Sequence, residues 1–412
     1  MKFTEKIRNL VGPASPLRNR EFRLLWYSNG MWWQALTVEF MLFGWLALEL
    51  TDSAWMVALL GFVRAAPLLC GMFTPVITDR FRRRDLLIVV QGTILASICV
   101  LAWLFVLGEL KFWQLAVGSA INGACWTLDW PTRRAIYPDL IGRGKIIDAM
   151  LLDNVCVHVA RCLGPLIGGV LMNYTGIGGA FVLTIVLLAG ALALLTLLRT
   201  TSRAPLEPGR EESSFRRMRE GLRYLRRKPR IQGVLLVTLF MNMWVFPFLT
   251  LVPVFVRDVL HRGPLSLGIM TGSFGFGSLL GLAIVRWVRI YHGETRVFVL
   301  GSAACAAGVF CFSLSDFFAL SIVLVTFAGA GLAGFSIMQS GIILSDSSDK
   351  MRGRTMAAAV LAIGGGPIGG LQSIGMVAVL GAPATVSIMS FFGLASVVGV
   401  GFLLPGFLKS GR

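Results

Sequence analysis

The chain has 412 residues, 56% of them hydrophobic and only 14% charged, with a mean hydropathy of +0.75. Soluble domains carry charge on about a quarter of their residues, so this composition excludes a soluble enzyme or binding module and specifies an all-α, polytopic membrane protein. A net charge of +17 would suit a nucleic-acid binder. The basic residues follow the sides of a membrane instead, and no nucleic-acid partner is expected.

Residues 1 to 23 are basic and polar, and the apolar run after them is too long for a signal peptide. A bilayer core of about 30 Å takes roughly 20 apolar residues per helix. On that rule the chain holds twelve spans, near 22–50, 54–78, 86–107, 112–135, 148–172, 178–199, 231–256, 265–288, 296–313, 317–344, 355–380 and 384–407. Connections such as 49–52, 108–111 and 381–383 suit helical hairpins, and barrel strands would be half as long.

With a cytoplasmic N-terminus, all but five of the 38 lysines and arginines fall on the inner side. Lys111, Arg257 and Arg262 fall outside, and Arg64 and Arg161 lie within spans. Both termini are therefore expected in the cytoplasm. Residues 200–230 interrupt the apolar pattern and divide an N-terminal six-helix half (1–199) from a C-terminal one (231–412). Within the linker, Phe215, Met218, Leu222 and Leu225 recur at helical spacing among arginines, the pattern of an amphipathic helix on the inner membrane surface. The halves echo each other: GPLIGG at 164–169 and GPIGG at 366–370 each follow a basic turn. Repeated halves with a site at their interface are a property of secondary transporters. The seven cysteines lie in apolar runs without metal-ligand spacing, so buried thiols are expected, and no metal or cofactor.

Polar groups inside spans are costly and by default face protein or a watery cavity. The turn after span two, PVITDRFRRRDLL (75–87), sets Asp79 among Arg80, Arg83 and Arg84. Its plain reading is positive-inside charge. Asp79 can also pair there or cap a neighbouring helix, which makes these four candidate gating residues.

On span four, Asn122, Trp126, Asp129 and Arg133 share one helix face; on span five, Asn154, His158 and Arg161 do the same. At ~1.5 Å per residue, His158 and Arg161 lie roughly 15–20 Å from the inner surface, and Asp129 and Asp153 roughly 7–11 Å from it. Arg64 is also near mid-depth. A deep cationic or protonatable layer and a shallow acidic one are therefore expected.

Each residue has a plainer alternative. Asp129 can pair with Arg133 or Arg134, Asp153 with a neighbouring helix, and Arg64 and Arg161 can satisfy carbonyls at glycine-rich bends. His158 can stay neutral or titrate during a cycle. Glu39, in span one, has apolar sequence neighbours, and burial would favour its protonation; otherwise it reaches the outer water. Glu39, Asp129 and Asp153 are the candidate proton carriers. Arg161, His158, Arg64, Asn154, Asn122, Trp126, Gln34, Asn242 and Gln339 are the candidate substrate contacts. Trp32, Trp33, Trp130, Trp244, Phe246 and Phe248 are either aromatic cavity walls for a flat or amphiphilic ligand or interfacial anchors. On span five, Gly164, Gly168 and Gly169 permit close helix approach and Pro165 a bend, at the least as generic packing.

The 75–84 run resembles the signature loop of the major facilitator superfamily, G-x-x-x-D-R-x-x-R-R. Asp79, Arg80, Arg83 and Arg84 match it, and Pro75 replaces its first glycine. LRNREFRLLW (17–26), LALELTDSA (46–54), VRAAP (63–67), PTRRAIYPDLI (131–141), ARCLGPLIGG (160–169) and RGRTMA (352–357) resemble the branch of enterobactin-type siderophore exporters and macrolide efflux proteins. GPLIGG resembles a motif of proton-driven antiporters, which adds Gly164, Pro165, Gly168 and Gly169 to the gating candidates.

The resemblance implies two pseudo-symmetric six-helix halves, a cavity enclosed by spans one, four, seven and ten, and a cytoplasmic latch at 75–84. It also implies a monomer in the bacterial inner membrane that exports a siderophore-like or drug-like molecule in exchange for protons. A lysophospholipid flippase, with Arg64 and Arg161 receiving the phosphate, is the alternative. A membrane enzyme or receptor is the remote one: the chain has no P-loop, no HExxH and no large loop except 200–230.

Overall fold

The computed structural model describes residues 15–73, 81–142, 145–199, 228–347, 351–404 and 407, and among these there are helices and no strands. Among the described residues, each of the twelve predicted spans holds a helix. Spans one to six are α1 (Arg20–Thr51), α2 (Ala54–Ala65, continued by a 3-10 stretch Ala66–Phe73), α3 (Arg83–Val106), α4 (Phe112–Ile141), α5 (Ile146–Thr175) and α6 (Ile177–Thr196). Span seven, α7, runs from Pro229 to Val259, followed by α8 (Pro264–His292), α9 (Glu294–Ser313) and α10 (Phe318–Asp346). Span eleven, α11, opens as Arg352–Ile363, breaks at Gly364 and resumes; Gly381, at φ 77°, then turns the chain into α12 (382–403). Both ends of the antiparallel array lie at one face, here the terminal face; the other is the distal face. The amphipathic segment expected in the linker lies outside the described residues.

Two features depart from uniform helix. α7 widens into π-turns at Met241–Val245 and Phe255–Val259, bracketing Pro247 and Pro253. A proline ring displaces the carbonyl four residues back and removes a donor, which the wider turn accommodates. α1 begins sharply because Asn19 Oδ1 accepts from the Glu21 and Phe22 amides, while its Nδ2 donates to the Leu140 carbonyl at 2.6 Å, tying α1 to the end of α4.

The repeated glycine motifs do equivalent work in the two halves. In α5, Gly164 faces Thr37 and Gly168 faces Val38 and Met41, all on α1 of the same half, while Gly169 lies against Gly268 of α8 in the other half. In α11, Gly369 faces the Met243 backbone on α7 of its own half, and Gly370 faces Phe62 of α2 in the other. Each motif therefore seats its helix on the first helix of its own half and on a helix of the opposite half. Apolar surface drives little association within lipid, so close backbone contact supplies the packing. The internal echo in the sequence is this shared geometry.

A side chain at Gly268 would place its Cβ 2.5 Å from the Pro165 carbonyl oxygen and 2.8 Å from Gly169 Cα. Backbone atoms cannot yield, so Gly268→Val is expected to lower stability by about 1–3 kcal/mol. Gly399, in α12, has nothing within 4 Å of an added Cβ, and Gly399→Ala should be neutral or raise stability by up to about 1 kcal/mol. Thermal unfolding of the two purified variants in detergent distinguishes them.

Candidate functional site

Three of the expected polar residues meet near mid-depth. Arg64 Nη1 donates to Glu39 Oε1 at 2.6 Å, and Asn122 Nδ2 donates to the same oxygen at 3.0 Å. Gly123 makes this possible: with no Cβ, it lets α4 press against the Arg64 backbone carbonyl, which sets Arg64 beside Asn122. Arg64 also lies over the Phe40 ring, 5.6 Å from its centroid. Asn122 Oδ1 is buried without a hydrogen-bond partner.

The expectation of apolar surroundings for Glu39 is thus corrected. Its sequence neighbours are apolar, but the fold brings Arg64 and Asn122 to it, and its side chain is only 3% exposed, so it does not reach outer water. The deep layer therefore also holds a carboxylate, paired with Arg64. Arg64 borders a cavity of about 20 Å³, walled by Gly44, Gly61 and Ser119 from one half and by Thr250, Pro253 and Thr271 from the other. That volume admits about one water.

The two aspartates nearer the terminal face are held by dense networks within the N-terminal half. Asp129 receives Arg133 Nε at 2.8 Å and Nη2 at 3.1 Å, with Gln91 Nε2 at 3.4 Å. Asp153 receives Asn29 Nδ2 at 2.5 Å, Tyr137 Oη at 3.0 Å and Arg134 Nη2 at 3.1 Å. Arg133 lies over Trp32 and Arg134 over Trp130, so aromatic faces complete both cation shells. Both residues make the pairs that the plainer reading assigned them.

The basic residues of α5 have a different setting. His158 Nδ1 is 2.9 Å from Ser278 Oγ of α8, a hydrogen bond across the two halves. Arg161 sits one turn further on, its backbone against Gly275 of α8. Among the described residues Arg161 has no hydrogen-bond or ion-pair partner, and it is partly exposed. Asn154 is exposed. Trp126 stacks on Trp130 at 6.4 Å, with its own Nε1 buried and unpartnered. Gln34 is half-buried on α1 beside Gly164. Asn242 and Gln339 converge elsewhere: Asn242 Nδ2 donates to the Thr238 carbonyl at 2.9 Å, and Gln339 Nε2 to Thr238 Oγ1 at 2.7 Å. Several proposed aromatic walls are packing groups, including Trp32 and Trp33 (mutually edge-on) and Phe248 (against Phe274 and Phe312).

Of the gating candidates, Arg83 Nη1 binds Asp139 at 2.8 Å and the Ala135 carbonyl at 2.7 Å, linking α3 to α4. Arg84 Nη2 donates to the Thr196 carbonyl at 2.7 Å, linking α3 to α6. Asp79 and Arg80 lie outside the described residues. Gly164, Pro165, Gly168 and Gly169 occupy the packing seams described above. One closure was not anticipated. At the distal face Arg257 of α7 donates to the Leu48 carbonyl at 3.0 Å and to Asp52 at 2.5 Å, clasping the two halves. Arg257 stood out in the sequence as one of three basic residues on that side; its partner Asp52, in a short turn, carried no signal.

Comparison with known proteins agrees with this architecture. The transmembrane secretion effector family matches residues 11–406. The enterobactin exporter EntS of Salmonella typhi is 25% identical over 192 residues, 46% of this chain, and the match spans 45% of that exporter's length. The enterobactin exporter EntS of Shigella boydii serotype 18 is 21% identical over 306 residues, 74% of this chain and 72% of its own. Among solved structures, a POT family transporter in complex with a thioalcohol-conjugated peptide superposes with a TM-score of 0.74 at 12% identity, covering 95% of this chain and 97% of its own. A D-xylose–proton symporter does so at 0.72 and 14%, covering 94% and 98%. At such identities the structures establish the fold alone. The chain is a multi-pass membrane protein and belongs to the transmembrane secretion effector family of the major facilitator superfamily.

Proposed function

We propose that this transporter exports an anionic organic molecule of the siderophore class across the bacterial inner membrane, in exchange for protons, by alternating access. The observation that carries the substrate charge is Arg161. An arginine at membrane depth ordinarily has a partner; Arg64, Arg133 and Arg134 have theirs, and Arg161 has none among the described residues. It also sits on the seam between α5 and α8, where a bound anion would be felt by both halves. The exporters among the relatives support the direction of transport. We assign the terminal face to the cytoplasm from the distribution of basic residues, which makes the Arg257 clasp a periplasmic closure.

Glu39 is the proposed proton carrier. Asp129 and Asp153 are each fixed by several donors inside one half. Glu39 is bound through one oxygen, to an arginine that borders a cavity walled by both halves. Protonation of Glu39 would release Arg64, and the cavity admits the water to deliver the proton.

Two measurements test this reading. In proteoliposomes loaded with a catecholate siderophore, Glu39→Gln should abolish the dependence of efflux on a pH gradient. Asp129→Asn should leave coupling intact in the folded fraction while lowering stability by about 3–5 kcal/mol, the cost of stranding Arg133. Coupling that survives Glu39→Gln sinks the assignment. In a thermal-shift titration, Arg161→Gln should weaken binding of the anionic siderophore at least about tenfold, as loss of a charged hydrogen bond implies, and leave a neutral macrolide unaffected. Equal binding of the siderophore by variant and parent would remove Arg161 from the site. Translocation of labelled lysophospholipid between leaflets, with no siderophore efflux, would favour the flippase.

A further inference from the structure

A second basic site lies away from the transport pathway. At the terminal face, the first turn of α1, the first turn of α3 and the end of α6 enclose a cavity of about 380 Å³. Arg20, Arg82, Arg84 and Arg199 line it, with Asp85 and the 196–198 turn. The volume is that of a small-ligand site. The enclosing elements are tied together: Arg84 Nη2 holds the Thr196 carbonyl, and the Arg199 amide donates to Glu21 at 2.7 Å. The cavity is therefore framed by fixed contacts.

Among the described residues its charge is not balanced. Four guanidinium groups face two carboxylates, and both pairings are long: Arg20 to Glu21 at 4.0 Å and Arg84 to Asp85 at 3.5 Å. The side chains of Arg82 and Arg199 have no partner among the described residues, and Arg84 Nε is buried without one. Clustered guanidinium groups repel one another, and their planar forks match the oxygens of a phosphate. Leu197, an exposed apolar side chain at 53%, lines the cavity with the arginines, and Phe81, exposed at 57%, precedes Arg82 in the chain. A free anion would gain nothing from these; the glycerol and acyl region of a lipid would cover them.

We infer that this cavity binds the phosphodiester head group of an anionic phospholipid, with Arg20, Arg82 and Arg199 as the principal ligands. Basic pockets between membrane helices are suited to such head groups. The bound lipid would brace the mouths of α1, α3 and α6 and so rigidify the N-terminal half at its cytoplasmic end.

The test uses the full-length protein in neutral detergent, with retention of added lipid followed by native mass spectrometry. Phosphatidylglycerol should bind in preference to phosphatidylcholine and saturate at one tightly held copy. Arg20→Gln/Arg82→Gln/Arg199→Gln should hold it roughly 100-fold less tightly, as the attraction of anionic lipid to each basic residue implies. The single variant Arg199→Gln, whose side chain has no hydrogen-bond or ion-pair partner among the described residues to lose, should show a smaller loss of the same kind. A control of equal charge loss on the other half, Lys228→Gln/Arg289→Gln/Arg296→Gln, should bind like the parent. No head-group preference, or equal loss in the two triple variants, would overturn the site. Inorganic phosphate binding at these arginines without a preference for phosphatidylglycerol would overturn the lipid assignment.

Discussion

The structure depends on backbone meeting backbone across the two halves. Lipid chains solvate apolar side chains as well as another helix does, so leucines and valines alone would leave the halves free to drift. The seam instead uses places where a Cβ is missing. Gly169 meets Gly268, Gly275 meets the Arg161 backbone, and Gly370 meets Phe62. Packing of this kind is stiff along the helix axis but concentrated on narrow lines. In the alternating access proposed above, two six-helix bodies joined along such lines would rotate against each other while each keeps its interior.

Within that frame, the charges sort by what they are tied to. The Asp129–Arg133 pair lies within α4 and reaches α3 through Gln91 and α1 through Ser28. Asp153 of α5 ties to Arg134 of α4 and Asn29 of α1. All of these belong to one half, and their many donors make them costly to break. They hold the N-terminal half together and would travel with it as a unit. Glu39 and Arg64 also belong to that half, but they border the space where α7 enters: Gly61, one turn before Arg64, faces Thr250, and Gly44, little more than a turn past Glu39, faces Pro253. His158 and Arg161 lie on the seam itself. The order from interior to seam is the order of increasing sensitivity to relative movement, and the proposed binding and coupling roles follow that order.

The elements were legible in the sequence because lipid imposes a simple rule of length and hydropathy. Twelve spans and their hairpin turns follow from it, and the glycine repeat pointed to the paired seams. The pairings were less legible. Helical spacing placed Asp129 four residues before Arg133, so that contact could be foreseen. Nothing local linked Glu39 to Arg64 or Asn122, which are 25 and 83 positions away. Their meeting depends on how α1, α2 and α4 pack. Hydropathy also blurred aromatic roles, since a tryptophan such as Trp32 scores alike whether it lines a cavity, anchors an interface or, as here, lies under an arginine.

The distal clasp shows how a weak contact can matter in such a machine. Asp52 is 87% exposed, so its bond to Arg257 is screened and individually modest. Arg257 nevertheless also holds the Leu48 carbonyl, and α1 ends immediately beyond it. A modest contact at the rim acts far from the axis about which the halves would rotate, where displacement is largest and the bond must break completely. A buried pair near that axis moves least and persists. Under the alternating access proposed above, weak bonds at the rims and strong ones inside the halves would serve best, and the exposed Arg257 clasp and the buried Asp129 and Asp153 networks are placed in that way.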